Sequence, residues 1–284
     1  MKWIPVLSLT CLLGLGGTAW ALLAQDDSGL TVPSGAGTAV ATPTDPPQVE
    51  LAAARRDGSL AAFDALVARR RQATAESAAN GQAWCLLAEA LLERVLQRNQ
   101  LRGMAVGEPL HTTLPPALAQ DLDDGLAAVA AARRAGVDSA ESYRIEAGLL
   151  SNKITGLGAA LQFNGQVQKA LNTAFAKAPE SASLHVALGL RKLLAPRLLG
   201  HDPEKALEHL EFAAKNMPDD ERPGVFAAMA AFLTRRRQKA IDWLEQAVAR
   251  NPGNVFARVV LQRIRRDEAD PFGRDVTPAE AAAK

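Results

Sequence analysis

Cysteine and aromatic residues are scarce in this chain. Of 284 residues, 2 are Cys, 1 is Tyr, 4 are Trp and 8 are Phe. Cys11 lies in the apolar N-terminal run, so removal of that run leaves Cys85 alone and excludes an intrachain disulfide. A lone thiol in a helix is ordinarily a small buried apolar group. An excess of charge of either sign is also missing: 32 Lys and Arg face 31 Asp and Glu. No basic surface for a nucleic acid is expected from that balance. The runs Arg69-Arg70-Arg71 and Arg235-Arg236-Arg237 read as solvated helix faces or helix ends. Catalytic signatures are lacking as well. There is no G-x-x-x-x-G-K-[ST] phosphate loop, no G-x-S-x-G elbow, no H-E-x-x-H and no paired C-x-x-C.

One long apolar run is present, residues 3–24, preceded by the single charge of Lys2. Ala19-Trp20-Ala21 has the small-x-small form of a signal peptidase site, and a second cut could follow Ala24. About 20 apolar residues also suffice to anchor a helix in a bilayer. Asp26 and Asp27 follow the run, so either alternative exports the body, to the periplasm or tethered to the inner membrane with the body outside. Cys11 follows Leu9-Thr10 rather than a small residue, against a lipoprotein. Residues 25–48 are rich in Gly, Ser, Thr, Ala and Pro without hydrophobic periodicity and read as a flexible linker.

The rest is rich in Ala, Leu, Arg and Glu, a helix-forming composition. Ala206, Leu210, Ala213 and Pro218 stand at offsets 0, 4, 7 and 12, and Ala240, Leu244, Ala247 and Pro252 repeat them 34 residues later. Gly125, Val129, Ala132 and Val137 keep the offsets, as do Val167, Leu171, Ala174 and Pro179. The first three positions share a helical face, where small residues let a neighbour approach, and proline ends the unit. Trp84, Leu87, Ala88 and Leu91 form a W-x2-L-x3-L helix, and Leu188-Gly189 places a glycine where two helices cross closely. A helix pair at 47–56 and 59–76 precedes these.

This pattern resembles the tetratricopeptide family over residues 81–268. The resemblance implies an all-α, right-handed superhelical solenoid of antiparallel helix pairs: 81–98 with 122–136, 140–152 with 164–178, 182–195 with 203–217, and 221–234 with 237–251. Helix 254–268 caps it, with Arg263, Arg265, Arg266 and Asp267 as a polar end. Residues 49–80 form an N-terminal helical cap and 269–284 a disordered tail. Insertions at 99–120, 152–164 and 196–200 fall at the equivalent turn of three pairs. They either mark a binding edge or pack on each other.

Two apparent sites are set aside. Asp202 reads as a helix N-cap with Pro203 first in the helix, so His201, Glu204, Glu208 and His209 are not expected to form a metal site. His111 and His185 stand apart from these. Asp121-Leu122-Asp123-Asp124-Gly125 lacks the ligands of a calcium loop and reads as solvated acids at a helix start.

No cofactor and no enzyme activity are expected. By the family resemblance, the first helices of successive pairs line a concave groove for a protein or peptide. Its residues are Gln82, Cys85, Glu89, Arg144, Gly148, Asn152, Val186, Leu190, Leu193, Val225, Met229 and Phe232. The apolar part of this face requires an occupant: a partner, a lipophilic ligand, or the chain's own tail or first insertion. The expected role is a non-enzymatic interaction scaffold in the cell envelope. The segment from Leu194 to Ala206, L-A-P-R-L-L-G-H-D-P-E-K-A, also resembles exported relatives of the T component of TRAP transporters. That second resemblance implies a helical body enclosing a ligand-binding pore, hence a small-molecule binder as the alternative.

Overall fold

The computed structural model describes residues 30–32, 46–104, 113–195 and 200–283. The expected signal or anchor segment and most of the linker lie outside the described residues. The described helices, numbered in chain order, are α1 Pro46–Asp57, α2 Leu60–Glu76, α3 Gly81–Asn99, α4 Pro116–Arg134, α5 Ala140–Asn152 and α6 Leu157–Lys177. They continue as α7 Ala182–Leu194, α8 Pro203–Asn216, α9 Arg222–Leu233, α10 Arg237–Arg250, α11 Val255–Arg265 and α12 Pro278–Ala282. Short polar residues start many of them. The side chains of Ser59, Asn80, Ser139, Ser181, Asp202, Asn254 and Thr277 each accept a backbone N–H of the first turn. Each such cap stabilises its helix by about 1 kcal/mol.

Packing follows the repeat. α3 packs on α4, α5 on α6, α7 on α8 and α9 on α10, and the first helices of successive pairs also touch: α3 with α5, α5 with α7, α7 with α9. The fold is therefore an all-helical repeat. The recurring face is its core: Ala206, Leu210, Ala213, Ala240 and Leu244 are fully buried, as are Ala132 and Ala174. Gly189 shows why a residue without a side chain is placed at the crossing of α7 and α8. A Cβ there would lie 2.6 Å from Leu210 Cγ and 3.2 Å from the Ala206 carbonyl oxygen. Gly189→Ala is therefore expected to lower stability by about 1–3 kcal/mol through overpacking, measured by urea unfolding. No loss would show that the helices can separate at that point.

Several boundaries differ from the sequence reading. α4 starts at Pro116 rather than 122, because proline at the first helical position gives up only a donor that has no partner there. α6 starts at Leu157 rather than 164, which shortens the second insertion to 153–156. Positions for a Cβ at Gly158 and Gly165 meet nothing within 4 Å. Neither glycine marks a packing constraint, and a 21-residue helix packed on α5 carries both. Residues 105–112 and 196–199 of the other insertions lie outside the described residues. Asp121 is not a solvated acid. It is 4% exposed and accepts from Arg94 Nη2 at 2.6 Å and Arg98 Nε at 3.0 Å, while Arg94 also reaches Asp64 of α2 at 3.0 Å.

The largest correction concerns the C-terminus. Residues expected to be disordered pack tightly, with Phe272 2% and Val276 9% exposed. Arg263, read as part of a polar end, is 1% exposed. Its guanidinium donates to the carbonyl oxygens of Pro271, Arg274 and Asp275 and to both carboxylate oxygens of Glu280. This segment has no helical periodicity to read. It is ordered by tertiary contacts from α11 and by the loop after α3. Met104 N donates to Phe272 O at 2.8 Å, Val276 N to Leu101 O at 2.8 Å, and Gly103 N to Asp275 Oδ1 at 2.8 Å. Gly103 permits the approach, since a Cβ would lie 2.5 Å from the backbone of Gly273 and Arg274.

Candidate functional site

The expected groove residues split into two groups. The apolar group is covered by the chain itself. Leu193, Val225 and Met229 are buried in the same core as Phe272 and Val276, with Met104 packed against it. Phe232 packs against Phe272 with the rings tilted at 56° and their centroids 5.9 Å apart. Of the occupants that would satisfy an apolar concave face, the chain's own tail and first insertion are the ones present.

The second group, mostly polar on α3 and α5 and apolar at Val186 and Leu190 of α7, lies outside that core. Gln82 is exposed, Cys85 and Glu89 are buried, and Arg144, Gly148, Asn152, Val186 and Leu190 are half-buried. Asn152 Nδ2 donates to the Gly148 carbonyl at 2.9 Å, and the bare backbone of Gly148 lies under Leu92 of α3.

Glu89 and Glu93 are one turn apart on α3 and therefore share a face. Glu93 accepts from Arg55 Nη2 of α1 at 2.5 Å and from Arg222 Nη1 of α9 at 2.6 Å. The latter contact joins the first repeat to the fourth across 129 residues. Arg222 also clasps Asp220, with Nη2 to Oδ2 at 2.6 Å. On α5, Arg144 Nε donates to Glu141 Oε2 at 2.8 Å, while its Nη2 stays 3.9 Å from Glu89. Ser183 of α7 donates to Glu141 at 3.3 Å. Helices α1, α3, α5, α7 and α9 thus meet in one mixed-charge interior. Sequence reading missed Arg55, Glu93, Glu141, Asp220 and Arg222. Arg55 and Asp220 lie outside the motif-bearing helices, and the face of α3 was followed only as far as Glu89.

Electrostatics separate the carboxylates. Burial pushes Glu93 up, but Arg222 and Arg55 outweigh it and hold the group at about 2. Burial likewise raises Asp220 and Glu141, and the adjacent Arg222 and Arg144 reverse it, leaving both below the ordinary carboxylate range. Glu89 goes the other way: burial and the nearby Glu141 charge push it up, because Arg144 is committed to Glu141. Burial, with Glu141 and Glu89, raises the Cys85 thiol to about 11, which leaves it protonated and unreactive near neutral pH.

Because the folded-state pKa of Glu89 is raised, its contribution to stability is most favourable below the unfolded value and declines as pH rises through the folded one. Glu89→Gln is therefore expected to raise the Tm at pH 7 by a few degrees and to lose that advantage below about pH 4. A lower Tm at pH 7 would contradict the assignment.

The structure also joins two histidines that sequence spacing left apart. Nδ1 of His185 on α7 and Nδ1 of His209 on α8 are 2.8 Å apart, and His185 Nε2 lies 2.8 Å from the Pro179 carbonyl. That carbonyl accepts only from Nε2–H, which makes His185 Nδ1 the acceptor from His209. Burial lowers the His185 pKa, which favours its neutral form, and the contact ties α7 to α8. Asp202 caps α8 through Lys205 N at 3.0 Å as its sequence implies, and His201 instead meets the Leu193 carbonyl. Among the described residues, no group of three or more His, Cys, Asp or Glu is placed to hold a metal ion. Among them, too, no helix is long and apolar enough to cross a membrane.

No family model and no curated protein matches the chain. Among solved structures it is similar to YrrB, described as a TPR protein with an unusual peptide-binding site, at 12% identity. The match covers 72% of this chain and 83% of that one, with a TM-score of 0.35.

Proposed function

We propose that the chain is a non-enzymatic scaffold of the cell envelope that holds a protein or peptide partner on its concave face. The observation that supports this reading is the convergence of α3, α5, α7 and α9 on one mixed-charge interior, with Glu93 of the first repeat bonded to Arg222 of the fourth. A repeat stack presents such a surface as its natural recognition face. Of the expected groove residues, Gln82 is exposed and Arg144, Asn152, Val186 and Leu190 are half-buried, and these are the ones we assign to the partner, since the apolar end is occupied by the C-terminal segment. The apolar N-terminal run and its small-x-small site support export, with the partner in the same compartment.

Cross-linking capture from intact native cells tests this. Tagged full-length protein is compared with a folded Val186→Glu/Leu190→Glu variant. The expected result is a discrete protein enriched by the wild type and lost with the variant. Identical captured sets would overturn the groove as a partner site.

A further inference from the structure

We propose that α1 is an internal occupant of the concave face, and that the partner displacing it is a cationic amphipathic helix. This rests on the scaffold reading above and specifies what enters the groove. Gln48, Leu51 and Arg55 lie three and four residues apart, so they form one stripe of α1. Gln48 Nε2 donates to Glu89 at 3.4 Å, Arg55 Nη2 donates to Glu93 at 2.5 Å, and Leu51 between them is buried in the core that holds Cys85, Leu87 and Leu92. The stripe reads the concave face of α3 as a bound helix would, with an apolar anchor between two polar contacts.

The apolar part of this attachment is small, and its main tie is the Arg55–Glu93 ion pair. Of the 12 residues of α1, only Leu51 and Ala54 are buried. On its other side, Glu50 pairs with Arg70 of α2 at 2.9 Å, and Val49 is 44% exposed. An element with so few buried contacts opens locally at a small fraction of the global free energy.

Charge specifies the replacement. Without α1 the face holds the ionised Glu93, Glu141 and Asp220 against Arg144 and Arg222, with Glu89 beside them. Arg55 supplies the missing cation beside Glu93. A segment that takes its place must present a Leu-sized side chain with an Arg or Lys one turn later.

The probe is a labelled synthetic peptide of residues 46–58, measured by fluorescence anisotropy against the full-length protein and a full-length Leu51→Glu/Arg55→Glu variant. The peptide is expected to bind the variant at least tenfold more tightly than the wild type, and to lose that binding when it carries Arg55→Glu. Hydrogen exchange on the wild type gives an independent readout. Amides of α1 are expected to exchange at least a hundredfold faster than those of α3. Protection of α1 equal to that of α3, or no peptide binding to a folded variant, would overturn the proposal. If the variant does not fold, the wild-type exchange decides alone. Protected α1 amides with normal partner capture would defeat this inference and leave the scaffold reading standing. Exchanging α1 amides and peptide binding without any captured partner would do the reverse.

Discussion

Arg263→Ala is expected to lower the free energy of unfolding by about 3–5 kcal/mol, the range for removing one partner of a buried charge pair. Arg263 is 1% exposed and holds three backbone carbonyls and the Glu280 carboxylate. Alanine leaves the three carbonyls without this donor, leaves Glu280 with only Arg274 and Thr277, and empties the space the guanidinium filled. Residues 270–276 should then detach, and Phe232, Val225 and Met229 lose their cover. Urea unfolding measures the loss, and increased binding of a hydrophobic dye reports the uncovered apolar face. Arg263→Lys is expected to recover little, since an ammonium cannot reach carbonyls and a carboxylate in the fork geometry of a guanidinium. A change below about 1 kcal/mol would mean that the C-terminal segment is not fastened at this residue.

Glu93→Ala is the second large effect, again about 3–5 kcal/mol at pH 7. It leaves Arg55 without its carboxylate and Arg222 with Asp220 alone. The same carboxylate gives the fold an acid limit. Its folded value of about 2 lies below the ordinary 4.5, so its contribution is fully present above pH 4.5 and is lost as pH falls toward 2. A shift of that size corresponds to roughly 3 kcal/mol. Wild type and Glu93→Ala should therefore converge in stability on acidification. A constant difference from pH 7 down to pH 2.5 would show that Glu93 is not held ionised.

The helices and the recurring core were legible in the sequence because they follow a period. Ala206, Leu210 and Ala213 recur 34 residues on at Ala240, Leu244 and Ala247, because close packing favours small and compact side chains at those positions. Asp202-Pro203 and Leu188-Gly189 were equally readable, each being a local signal with a local cause. Contacts between distant segments have no such signature. Nothing in the composition of residues 270–276 shows that Phe272 will cover Phe232, or that Arg263 will bind their backbone. Glu89, Arg144 and Leu190 were legible only as positions on the first helices of their pairs. Their partners Arg55 and Arg222 come from α1 and from the start of α9, and only the superhelical path brings these to Glu93.

The joining of the first repeat to the fourth is the centre of this account, and a double-mutant cycle on Glu93 and Arg222 tests it most directly. Glu93→Gln, Arg222→Gln and the double variant are unfolded in urea at pH 7 beside the wild type. The account predicts a coupling energy of about 1.5 kcal/mol or more between residues 129 apart in sequence. Additive losses, with no coupling, would contradict a concave face that closes across the repeats.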